Sequence, residues 1–215
     1  MMRYLTIDKL KSADIYGLTA EEYSLGRSNI EIVKLMIEAG ITVIQYREKE
    51  KYIRQVYHEC LAIRELTRRA DVLFIVNDYV DVAMLVEADG IHVGQDDLPV
   101  EKVRALVGDS MIIGLSTPSP AQAQAAIQSG VVDYIGVGPI FGTNLKKDVC
   151  APVGLEYLDY AVRHVPIPFV AIGGIKEHNI AQVSSRGART IALVTEIVGA
   201  SDIPGKVKSV RAAMH

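Results

Sequence analysis

The sequence has no tryptophan, only three phenylalanines and only two cysteines in 215 residues. Aromatics make up 6% of the chain against 49% hydrophobic residues, so its core has to be built from aliphatic side chains. Cys60 and Cys150 lie far apart and show no metal-ligand spacing, so they read as free thiols in a reducing compartment. There is no surplus of positive charge: 23 basic and 26 acidic residues leave a net −3. A nucleic-acid partner normally calls for a basic face, so none is expected. No apolar run approaches the roughly 18 residues of a membrane span. The opening MMRYLTIDKLKSADIYG lacks the apolar centre of a signal peptide. These absences predict a soluble, cytoplasmic protein without a membrane or nucleic-acid partner. Also missing are a GxGxxG turn after the first strand candidate, a Pro/Ser-rich linker and any low-complexity tract. A single domain follows.

What is present is an alternation. Short apolar runs at 13–19, 41–47, 72–77, 90–93, 111–116, 133–138, 168–173 and 190–195 read as strands. Helical patterns lie between them at 28–40, 51–70, 78–88, 99–107, 120–129, 154–164, 177–186 and 202–213. Ser28 and Ser119 stand where N-caps belong, with Gly40 and Gly130 at the matching ends. Eight strand-plus-helix units of about 20–30 residues predict an α/β fold, a single (β/α)8 TIM barrel over 13–215. An open doubly wound sheet is the alternative. Residues 1–12 read as an N-terminal extension.

In such a barrel the chemistry sits where the strands end. The ends here are polar: Gln45, Arg47 and Lys49, then Asn77-Asp78, GQDD at 94–97, Ser116-Thr117, the loop GPIFGTNLKKD, Gly173-Gly174, and Val194-Thr195. Asp78 and Asp97 follow neighbouring strands, so both carboxylates can reach one point. Hard oxygen ligands of that number suit Mg²⁺, which completes its shell with water and phosphate. Asp78 also fits as a helix N-cap, and Asp97 as a first-turn acid. Arg47 and Lys49 suit phosphate oxygens, or else a solvated exit in the charged run REKEK. Gly173-Gly174 before a helix, beside Val194-Thr195, offers a second anion site built mainly of backbone amides. One site suits a diphosphate and the other a monophosphate. That pairing points to joining two phosphorylated small molecules, or to releasing a diphosphate, and spacing alone does not choose between them.

QYREK (45–49), FIVNDYVDVAMLVEADGIHVGQDDLP (74–99), IIGLST (112–117), DYIGVGPIFGTNLKKD (133–148), PVGLE (152–156) and PFVAIGGI (168–175) together resemble the thiamine phosphate synthase family. The resemblance runs from about Asp14 to the end, with its motifs in order. It implies a transferase that couples a hydroxymethylpyrimidine diphosphate with a hydroxyethylthiazole phosphate, giving thiamine phosphate and diphosphate. It further implies a dissociative substitution assisted by Mg²⁺ on Asp78 and Asp97. Gln45, Arg47, Lys49, Asn77 and Lys146 would hold the pyrimidine diphosphate, with Ser116 near the reacting centre. Thr143 would approach the thiazole, and Gly174, Val194 and Thr195 would hold its phosphate. Lys146, Ser116 and Arg47 are then the catalytic candidates. A homo-oligomer is left open.

Three positions depart from the family pattern. Leu145 stands where a second hydroxyl is usual, Pro118 where a His is frequent, and Thr195 where Ser is common. The competing readings are a thiazole tautomerase-like relative, which would need a His near 118, and a non-catalytic binder of thiamine precursors. Intact NDYVD and GQDD favour the synthase. His92 reads as a structural strand residue; His58, His164 and His178 read as helix-surface or capping residues. Cys150 is a minor candidate for lining the pocket.

Overall fold

The computed structural model describes residues 2–143 and 151–214. Eight parallel strands close into a barrel in sequence order: β1 (Ile15–Leu18), β2 (Val43–Tyr46), β3 (Leu73–Asn77), β4 (Gly90–Val93), β5 (Ile112–Thr117), β6 (Tyr134–Val137), β7 (Phe169–Ala171) and β8 (Thr190–Leu193). The ring shuts where β1 pairs with β8, Ile15 beside Ile191 and Gly17 beside Leu193. All eight strand candidates are present, and the closed barrel replaces the open-sheet alternative. The helices are α1 (Met2–Ser12), α2 (Asn29–Glu38), α3 (Ile53–Arg69), α4 (Val80–Leu85), α5 (Val100–Val107), α6 (Pro120–Ser129), α7 (Gly154–His164), α8 (Ile180–Ser184), α9 (Thr195–Val198) and α10 (Ile203–Ala213).

Strands covered on both faces read as unbroken apolar runs, which is why they were visible. Tyr16 and Gly17 show the alternation. Tyr16 points into the barrel, where it meets Tyr134 and Gln45. Gly17 faces outward, and a Cβ there would lie 2.9 Å from the Met36 sulfur of α2. Helix boundaries follow their caps. Ser28 and Glu31 form a reciprocal capping box on α2, and Gly40 follows it at φ +75°. Ser119 accepts from the Gln122 amide, Pro120 opens α6, and Gly130 closes it in the left-handed region.

Three elements differ from expectation. The extension is itself helical: α1 lies across the N-terminal ends of the strands. Arg3 reaches Asp133 at 2.6 Å and Asp109 at 3.0 Å, Lys9 pairs with Asp71, and Leu10 is buried. Its sequence carries neither an acidic first turn nor a clear apolar face. α8 spans only Ile180–Ser184, shorter than the expected 177–186. α9 was hidden because TIALVTEIVGA runs from strand to helix without punctuation.

Candidate functional site

The C-terminal mouth of the barrel holds a cleft. Its wall and floor include Tyr16, Gln45, Arg47, Asn77, His92, Ser116 and Tyr134. His92, Ser116 and Tyr134 each stand two residues from a glycine of their own strand, Gly90, Gly114 and Gly136 respectively. A Cβ on Gly114 would come within 2.2 Å of the Tyr134 ring and 2.4 Å of His92 Nδ1. Inside that space Gln45 Nε2 donates to Tyr16 Oη at 2.8 Å, and Tyr16 and Tyr134 hydroxyls meet at 3.0 Å. Tyr134 Oη is 3.0 Å from His92 Nδ1, and His92 Nε2 is 2.9 Å from Ser116 Oγ. Burial pushes both phenols above their ordinary pKa, so they act as neutral hydroxyls. His92 is therefore more than a structural strand residue: its ring lines the cleft. The alternation of GIHV carried that signal, since Ile91 and Val93 share one face and His92 takes the other. Tyr16 and Tyr134 were also missed, because a lone tyrosine in an apolar run reads as core.

Above the floor lies a charged cluster. Lys49 Nζ bonds to Asp78 Oδ2, and the Asp78 carboxyl lies beside that of Asp97. Asp97 Oδ2 also accepts from the Gly94 amide at 2.7 Å. Burial, reinforced by Asp97, raises the Asp78 carboxyl above its ordinary pKa, and Lys49 only partly opposes this. Asp78 does not cap α4: the cap position is Tyr79, with no side-chain cap bond. Asp78 instead adopts φ +63°, and its amide donates to the His92 carbonyl at 2.9 Å. Backbone strain and a second carboxylate are thus concentrated at one point. Two carboxylates held side by side are a donor set that suits a hard divalent cation. They fit Mg²⁺ only as a partial shell. Among the described residues no group of three His, Cys, Asp or Glu is placed to hold a metal.

Arg47 sits just past β2, half-buried, and its guanidinium has no hydrogen-bond partner among the described residues. Its amide donates to Thr19 Oγ1 at 2.9 Å, which fixes the backbone. The rest of REKEK is not simply solvated. Lys51 is largely buried between Glu21 and Glu59, and Glu48 accepts from the Glu21 amide. The loop carrying Arg47 and Lys49 is therefore held from behind.

On the opposite rim the β6 and β7 exits run together. Phe141 N donates to Gly173 O, and Ile140 N to Ile172 O, both at 2.9 Å. Gly173 and Gly174 have φ +102° and +62°, and Cβ atoms there would strike Pro139 Cα at 2.4 Å and Gly142 O at 2.5 Å. Both glycines are thus required by the loop itself. α8 begins only at Ile180, so Gly174 is followed by turns rather than directly by the helix the sequence suggested. Past Gly174, Lys176 N donates to Asn179 Oδ1 at 2.7 Å within the same loop, and Glu177 N to Glu196 Oε1 at 3.3 Å. Val194 and Thr195 open α9, whose first N–H groups have no partner within the helix. Thr143 is the last residue described before the lysine loop. Leu145, Lys146, Lys147 and Cys150 lie outside the described residues. Pro118 follows β5 and leaves no imidazole at that position.

Set against known proteins, the chain matches the family model described as Thiamine monophosphate synthase over residues 15–197. It is 70% identical over 212 residues to the thiamine-phosphate synthase of Pelotomaculum thermopropionicum, covering 99% of this chain and 97% of that protein. The thiamine-phosphate synthase of Lawsonia intracellularis is 53% identical, covering 99% and 98%. Among solved structures, a thiamine phosphate pyrophosphorylase from Pyrococcus furiosus superposes with a TM-score of 0.85 at 35% identity, covering 95% of this chain and 96% of that one.

Proposed function

The chain belongs to the thiamine monophosphate synthase family, and from that membership we propose how its barrel rim performs the coupling. The protein is a transferase that joins hydroxymethylpyrimidine diphosphate to hydroxyethylthiazole phosphate, releasing diphosphate. The observation that carries the site assignment is the Lys49–Asp78–Asp97 cluster, set beside the Arg47 guanidinium, which has no hydrogen-bond partner among the described residues. Arg47 and Lys49, joined by Lys146, grip the diphosphate. Asp78 and Asp97 would hold Mg²⁺, which when bound supplies charge to neutralise the departing oxygens. Asn77 and Gln45 orient the pyrimidine, with Ser116 beside the carbon that changes partners. Thr143 meets the thiazole, while Gly174, Val194 and Thr195 hold its phosphate through backbone amides and a hydroxyl.

No protein nucleophile is needed in this scheme. The C–O bond to diphosphate breaks first, and the aminopyrimidine spreads the positive charge. The thiazole nitrogen then closes the new C–N bond. The chain's contribution is alignment and anion stabilisation at fixed positions. The test is diphosphate release by the purified protein with both substrates, with and without Mg²⁺. Release should need the thiazole phosphate and the cation. Equal release without Mg²⁺ would remove Asp78 and Asp97 from the assigned role.

A further inference from the structure

Five side chains from five strands form one hydrogen-bonded line through the barrel: Gln45, Tyr16, Tyr134, His92 and Ser116. The Gln45 amide, oriented with its nitrogen toward Tyr16, sets the direction of the line. Gln45 presents an N–H to Tyr16, so the Tyr16 oxygen is an acceptor there. Tyr16 is 2% exposed, and its one other partner among the described residues is Tyr134. A buried hydroxyl proton left without an acceptor is costly, so Tyr16 donates to Tyr134. The same reasoning passes along: Tyr134, 1% exposed, must donate to His92 Nδ1. An imidazole that accepts at Nδ1 carries its proton at Nε2. His92 therefore donates to Ser116 Oγ. Ser116 has accepted, and its own proton is left for the cleft.

We propose that Tyr16, Tyr134 and His92 are positioning residues that fix the polarity of the Ser116 hydroxyl, so that Ser116 meets its substrate as a donor. The substrate atom facing it is then a hydrogen-bond acceptor, a ring nitrogen or a phosphate oxygen rather than an amino group. This rests on the placing of Ser116 in the substrate site above. The reverse line would require Gln45 to turn its carbonyl to Tyr16, with every proton reversed and Ser116 donating inward to His92.

The two directions give opposite histidine tautomers, readable without substrate or turnover. In the full chain labelled with ¹⁵N-histidine, long-range proton–nitrogen correlation should show His92 protonated at Nε2 and bare at Nδ1. His92→Gln identifies the signal. A proton on Nδ1 would overturn the proposal. A kinetic cycle asks whether the line acts through Ser116. Ser116→Ala should lower kcat by about 10²-fold. Tyr134→Phe should lower kcat by about tenfold, with KM moved less than about twofold, and the double variant should match Ser116→Ala. Losses that multiply to about 10³-fold would show Tyr134 acting independently of Ser116 and would overturn the proposal. Tyr16→Phe serves if Tyr134→Phe does not fold. If the unaltered protein releases no diphosphate, the functional reading fails while the tautomer result still stands on its own.

Discussion

Asp78 combines two costs in one residue: a left-handed backbone and a carboxylate pressed against another. Glycine removes both, at the expense of the Lys49 pair and of extra freedom in the unfolded chain. Asp78→Gly is expected to leave stability unchanged or raise it by up to about 1 kcal/mol, while diphosphate release falls by about 10²-fold. Urea midpoints and turnover on the same preparation test this; parallel loss of both would mean the residue is structural. Gly114 is the converse case, a residue whose value lies in what it lacks. Gly114→Ala drives a methyl into the Tyr134 ring and His92. It should cost about 1–3 kcal/mol. It should also reduce kcat, because the line to Ser116 has to shift. Unchanged stability would show that the floor can yield.

At the scale of elements, the sequence disclosed strands better than their decoration. β-branched, doubly covered runs left little ambiguity, and caps such as Ser28 and Ser119 marked their helices directly. α1 escaped because its role depends on partners far away in the chain. Arg3 joins a cluster in which Asp133, 4% exposed, accepts from Arg3, Arg104 and the Ile113 amide. Asp133→Ala should cost about 3–5 kcal/mol, since it strands a buried cation and an N–H. Arg3→Ala should cost only about 1 kcal/mol, because Arg104 remains. Denaturant titration separates the two, and equal losses would contradict this division. The rim residues were legible by position alone. The hydrogen bonds that make His92, Tyr16 and Tyr134 part of the site were not, because they join strands distant in sequence.

For the whole molecule, acid stability depends on carboxylates held by distant elements. Burial alone would raise the Glu59 pKa, but bonds from Asn29, Lys51 and Tyr46 outweigh it and leave the group below its ordinary value. A depressed carboxyl stabilises the fold above its unfolded pKa, and that contribution is lost as pH falls through the folded one. The urea midpoint should therefore drop as pH falls through the ordinary carboxylate range and below. Glu59→Gln should flatten that drop; an unchanged slope would assign it to other acids. Asp14, at the start of β1, is likewise lowered by Arg211 of α10 despite the opposing effect of burial. These two groups tie the beginning of the ring to its end, as does the pairing of Ile15 with Ile191. During synthesis β1 therefore waits with an unpaired edge until nearly the whole chain has emerged. A nascent chain stopped before β8 exposes two open sheet edges at once, the form most prone to stick to another copy. The ribosome-bound chain, more than the finished barrel, is where this protein should depend most on chaperones.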